Sequence, residues 1–267
     1  MLTKDIRVII VSHDFYVRNW VSLILSRDLR TRVVAELQQL SQIQTALQEF
    51  PKVDLILIDC DLQVTVDTAI FSSVLSALKS EKVILIANSL PDLRILDLIA
   101  EDQKLMGYLI KAEICYSLAW AAVLVIEAGW SIITPGVQNF VVPKLKRLRR
   151  RYLVVDGRQT PIPLTQHEMN VARLAFIFSM ERRELADELG ITEKWGYSLI
   201  SRIYQKLGLK ELVAYESSNI NSLDTNQISY PFLIRILKDA SPENSVKAKE
   251  IVAYHFITAP VVLDFHE

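Results

Sequence analysis

Five short apolar, β-branched runs recur through the first half of the chain: IRVIIV at 6–11, TRVVAEL at 31–37, DLILID at 54–59, KVILIA at 82–87 and GYLI at 107–110. Continuous runs of this length suit strands buried on both faces of a parallel sheet. Between them the apolar positions fall at helical spacing. Val17, Trp20, Val21, Ile24 and Leu25 share one face over 15–26, and Leu40, Ile43, Leu47 and Phe50 do so over 40–50. Further helices are predicted over 70–78, 93–100 and 114–128. The alternation predicts a doubly wound (βα)5 α/β domain over residues 1–130. The stretch ICYSLAWAAVLVIEAGWSII at 114–133 has Glu127 as its sole charge and is long enough to cross a bilayer. Its position at the end of a regular alternation makes it a buried helix that breaks at Gly129.

The pattern then changes. Pro135, Pro143, Pro161 and Pro163 mark 131–160 as a linker, and within it KLKRLRRR at 144–151 concentrates Lys144, Lys146, Arg147, Arg149, Arg150 and Arg151. Helical spacing returns at Thr165, an N-cap with Glu168 three residues on, the signature of a capping box. A second short helix over 183–189 ends at Gly190. Thr192 then caps a third helix that runs to about Leu207, with Gly208 as its stop. A short helix, a glycine turn and a longer helix predict a helix-turn-helix in an all-α domain over 161–220. Residues 221–267 form a C-terminal extension, with helices expected over 230–240 and 245–256. A terminal strand or an extended tail follows from Thr258.

Composition narrows the function. Apolar residues are 51% of the chain, as in a folded protein. Thirty basic and 31 acidic side chains give a net charge of −1, so any nucleic-acid contact rests on a local patch. The 7 glycines are dispersed, which excludes the glycine-rich phosphate loops of nucleotide enzymes. Two cysteines and four scattered histidines offer neither a disulfide framework nor a zinc site, so a reduced, cytoplasmic protein without a bound metal or cofactor is expected. Ser12 and His13 are adjacent at a strand end, where side chains diverge. They make no nucleophile–base pair, and the chain does not read as an enzyme.

In doubly wound sheets, chemistry sits at the carboxyl ends of the strands. Those ends are Ser12-His13-Asp14, Asp59-Cys60-Asp61, Ala87-Asn88-Ser89 and Lys111. DLILID at 54–59 and GYLIK at 107–111 resemble strands three and five of response-regulator receivers. The resemblance implies Asp59 as the phosphoacceptor position, Lys111 as its lysine and Tyr108 as the switch aromatic. Where that family carries an acidic pair for Mg²⁺, this chain has Ser12 and His13, and Ala87 replaces the strand-four hydroxyl. A hard cation needs carboxylate oxygens. Two readings of Asp59 follow: a phosphoacceptor helped by Lys111, with Asp14 or Asp61 recruited to hold metal, or a degenerate pseudo-receiver in which Asp59 pairs with Lys111. The second is favoured.

ELADELGITEK and SRIYQKLGL resemble the DNA-binding domain of NarL/LuxR-type regulators, and 209–220 looks like its fourth helix. That resemblance implies a transcription regulator of a two-component system bound to double-stranded DNA, as a homodimer on a two-fold site. Lys194, Tyr197, Ser198, Ser201, Arg202 and Lys206 are the expected contacts, assisted by the six linker cations. Trp195, Gly196 and Leu199 depart from a polar recognition helix. The apolar helices at 15–26 and 114–128 are candidate dimer surfaces, and the receiver would meet a protein partner. The alternative is an interaction adaptor that kept both folds and does not bind DNA.

Overall fold

A computed structural model of the chain describes residues 6–61, 68–90, 95, 97–99, 102–209 and 245–266. It divides into two compact units, 1–159 with 260–267, and 160–259.

The first unit is an eight-stranded sheet in the order β2-β1-β3-β4-β5-β6-β7-β8. Strands β1 (Ile6–Val11), β2 (Thr31–Leu37), β3 (Leu55–Asp59), β4 (Lys82–Ala87) and β5 (Leu105–Ile110) are the five apolar runs, all parallel. Helices α1 (Phe15–Arg27), α2 (Ile43–Glu49) and α3 (Thr68–Ala77) connect the early strands. Asp14 caps α1, its carboxylate accepting from the N–H groups of Tyr16 and Val17. Part of the helix expected over 93–100 lies outside the described residues; Ile95 and 97–99 are helical.

The apolar stretch after β5 breaks into a helical turn (Lys111–Ile114), a 3-10 turn (Cys115–Ser117) and α4 (Leu118–Ala128), which ends on Gly129 in the left-handed conformation. Leu118, Ala119, Ala121, Ala122, Val123, Leu124 and Val125 are buried, and α4 packs on α1, β1 and β2. It is therefore covered within this unit and is not an available dimer surface. Among the described residues no helix is long and apolar enough to cross a membrane.

The segment expected to be a linker is instead structured. Residues Ser131–Ile133 form β6, Pro135–Arg147 form α5 and Tyr152–Asp156 form β7, which extend the parallel sheet beyond β5. Pro135 sits at the first turn of α5, where a missing N–H costs nothing. Gly107 admits β6: a Cβ there would run into the Ile132 carbonyl. Val137, Val141, Val142 and Leu145 of α5 join Tyr152 and Val154 in one core with β1, β3 and β4. The chain closes the sheet with β8 (Val261–His266), antiparallel to β7. Asp264 on β8 accepts from the Tyr152 hydroxyl at 3.3 Å and from Gln138 at 3.4 Å.

The second unit is helical: α6 (Gln166–Ala172), continued by a π turn (Arg173–Ile177), then α7 (Arg182–Leu189), α8 (Glu193–Lys206) and α9 (Ser245–Thr258). Thr165 and Glu168 make the expected capping box, Gly190 is left-handed, and Thr192 caps α8 by accepting from the Trp195 N–H. Arg182 of α7 pairs with Glu250 of α9 at 3.0 Å. Residues 210–220, the helix expected over 230–240 and 241–244 lie outside the described residues.

Candidate functional site

Two places carry the candidate residues, one in each unit. In the sheet unit, β3 and β5 bring Asp59 and Lys111 together at their carboxyl ends. Lys111 Nζ lies 2.7 Å from Asp59 Oδ1 and 2.6 Å from Asp61 Oδ2. Asp59 Oδ1 also accepts from the Asp61 N–H at 3.2 Å, and its Oδ2 accepts from Ser12 Oγ at 2.7 Å. Both oxygens of Asp59 are thus engaged, and its side chain is 0% exposed; Lys111 and Asp61 are 10% and 18% exposed. Asp61 is tied in turn by the Asn88 N–H, 2.7 Å from each of its oxygens.

The residues around this cluster close it further. Ser12 is buried and accepts the Asp14 N–H at 3.1 Å, while Arg18 donates to the carbonyls of Ser12 and His13. Asp14 is spent as the α1 cap, and His13 is exposed. Tyr108 is buried, and its hydroxyl donates to the Ser89 carbonyl at 2.9 Å. Burial, then neighbouring charge, pushes its pKa above the usual phenol range. Burial, Asp59 and Asp61 push the Cys60 thiol up to about 12, so it stays protonated and unreactive. Among the described residues no group of three or more His, Cys, Asp or Glu side chains is placed to hold a metal ion. Sequence reasoning named Asp61 only as a recruit for metal; its role as the second acceptor for Lys111 depends on a loop geometry that the sequence does not display.

The six cations at 144–151 lie on the end of α5 and the turn into β7. Lys144 pairs with Asp97. Arg150 donates to the carbonyls of Ile99, Asp102 and Leu105 and to Ser131 Oγ, at 2.8 to 3.1 Å. Arg151 lies over the Trp130 ring at 4.1 Å, and Lys146 over Tyr152 at 5.9 Å. These four hold the sheet extension, whereas Arg147 and Arg149 project from its surface.

In the helical unit, α8 turns Leu199, Ile200 and Ile203 inward and leaves Lys194, Trp195, Tyr197, Ser198, Ser201 and Arg202 exposed. Leu199 is therefore a core residue and no departure from a polar outer face. Lys206 points elsewhere: its ammonium lies 2.7 Å from Glu168, completing the capping box. That contact, with the Thr165 N–H, holds the Glu168 carboxyl down at about 2. Trp195 is 49% exposed and Tyr197 58%. The Trp195 ring lies alongside the His167 imidazole, nearly parallel at 25° with centroids 6.5 Å apart.

No family model matches the chain, and no curated protein matches it. Among solved structures it is similar to the response regulator ChrA of a haem-sensing two-component system, at 23% identity over 76% of this chain and 90% of that one, with a TM-score of 0.40. It is also similar to the response regulator RcsB in complex with DNA, at 17% identity over 77% and 93% of the two chains and a TM-score of 0.45. RcsB of Salmonella enterica serovar Typhimurium bound to a promoter matches at 16% identity over the same shares, with a TM-score of 0.44. Likenesses this distant assign no activity to the chain.

Proposed function

We propose that the chain is a DNA-binding transcription regulator of the response-regulator type whose receiver-like unit is not switched by Mg²⁺-dependent phosphorylation. The observation that carries this reading is the capped α8, a helix with an apolar inner face and an outer face of Lys194, Ser198, Ser201 and Arg202. Such a face suits a helix laid into a groove, with hydroxyls and cations toward bases and phosphates. The helix-turn-helix resemblance at 184–209 supports the same reading.

The strand-end cluster supports the second half of the proposal. A phosphoacceptor needs a free carboxylate oxygen, a cation to neutralise the phosphoryl charge and access for the donor. The Asp59 side chain is covered, and Lys111 and Ser12 occupy its oxygens. Ser12 and exposed His13 stand where carboxylates would be required. The Lys111 bridge between Asp59 and Asp61 acts as a fixed strut, and input reaches this unit through a protein partner. On DNA the regulator works as a homodimer, with Arg147 and Arg149 as the linker-region cations left for phosphate.

An adaptor that does not bind DNA is the second reading. The exposed Trp195 and Tyr197 and the engagement of Lys144, Lys146, Arg150 and Arg151 favour it. One salt titration separates the two. Duplex binding that weakens with salt and with Lys194→Ala is expected of the regulator, and no retardation of any duplex at low salt leaves the adaptor. Incubation with a small phosphodonor and Mg²⁺ is expected to add no mass. A mass gain that disappears in Asp59→Ala would overturn the strut.

A further inference from the structure

We infer that Trp195 and His167 form a stacking platform for an unpaired base, so that the DNA favoured by the helical unit is locally melted or single-stranded. The inference rests on the DNA-binding reading and specifies its ligand. Four observations support it. Trp195 is half exposed in the first turn. Its ring stacks against the His167 imidazole, projected from α6, with the planes at 25° and the centroids 6.5 Å apart, so that the imidazole backs the indole. Tyr197 adds a further exposed ring. Lys194, next to Trp195 in the first turn, supplies positive charge, and Gln166 and Asn170, on the helix that carries His167, are bonded to each other at 3.1 Å.

The chemistry favours a base over an apolar partner side chain. Every base has a π-face and edges that exchange hydrogen bonds, and its phosphate is anionic. An aromatic pair next to a lysine suits the face of a base and its phosphate, whereas an aliphatic anchor would leave the lysine without a role. In paired DNA the π-faces are buried in the stack, so a flat aromatic surface gains little from uniform duplex. Base–aromatic stacking contributes roughly ten- to a hundredfold in affinity per base. Glu193, in the same first turn, opposes phosphate there and leaves stacking a larger share of the binding.

The test uses the full chain and three fluorescent probes of the same sequence: a paired duplex, that duplex with a central unpaired bubble, and the single strand. Anisotropy is expected to give about tenfold tighter binding to the bubble and the single strand than to the duplex. Trp195→Ala should abolish that preference, and Trp195→Phe should keep most of it. Both are surface changes, checked by unaltered helical circular dichroism. Equal affinity for paired and bubble probes, or a preference that survives Trp195→Ala, overturns the platform and leaves the duplex-binding regulator standing. Absence of binding to all three probes overturns both.

Discussion

Replacing Lys111 by Met separates a structural strut from a switch lysine. The substitution keeps the length of the side chain and deletes its charge. Asp59, with no exposure, and Asp61, at 18%, then face each other across the strand ends without the ammonium that joined them at 2.7 and 2.6 Å. Removing one partner of a buried ion pair typically costs about 3–5 kcal/mol. For a unit of this size a loss of that order is a fall in Tm of roughly 6–20 °C. Urea titrations of wild type and variant would measure it. A loss of less than about 1 kcal/mol for Lys111→Met would refute the strut. Adding Asp59→Asn to Lys111→Met should restore much of the stability, since the neutral amide still accepts from Ser12.

Three further outcomes are expected. Arg150→Met should destabilise the sheet unit by about 2–3 kcal/mol, since three carbonyls lose a charged donor, whereas Arg147→Ala should change it by less than about 0.5 kcal/mol; thermal melts decide. Gly196→Ala should stabilise the helical unit by about 1 kcal/mol, because a Cβ there meets only Ile191 Cδ1 at 4.0 Å and glycine is a poor helix former; a lower Tm would contradict this. Glu168 is held at about 2 against an ordinary 4.5, so its ionised form stabilises the folded state above pH 4.5. That contribution is lost as pH falls from 4.5 toward 2, and an acid titration of helicity should show Lys206→Met reducing this part of the pH dependence, with the share held by Thr165 remaining.

The local patterns that sequence carries best were the ones it rendered most fully. β1, β3, β4 and β5 are continuous apolar runs, and a parallel strand buried on both faces has no other way to read. The capping box at Thr165 and the stop at Gly190 were equally plain, since a cap is chemistry within a few residues. The extension of the sheet was missed at β6 and β7, and β8 was expected only as a terminal strand or an extended tail, without its partner. β6 is three residues between Trp130 and Thr134, too short for any period. YLVVD at β7 does have the composition of the earlier runs, but the prolines and cations around it suggested a connector. β8 pairs with a strand about a hundred residues away, a relation no window contains. The basic run shows the same limit in its chemistry. That Arg150 spends its donors on three backbone carbonyls follows from the fold, and the side chain alone looks like a phosphate ligand. At the strand ends, sequence identified Asp59, Lys111 and the missing acidic pair, and the closure of the cluster by Asp61 and Ser12 came only with three dimensions.

The antiparallel pairing of β8 on β7 also has a consequence for how the chain is made. About a hundred residues separate Asp156 from its partner Val261, so the whole helical unit is synthesised before the sheet can be closed. At ordinary elongation rates β7 presents an unpaired edge to the growing polypeptide for roughly 5–20 s. An unpaired edge of apolar residues is a template for wrong pairing. Closing a loop of that length costs about 4 kcal/mol when the loop is unstructured. A helical unit that folds before β8 emerges would lower that cost, which ties the last strand of one unit to the folding of the other.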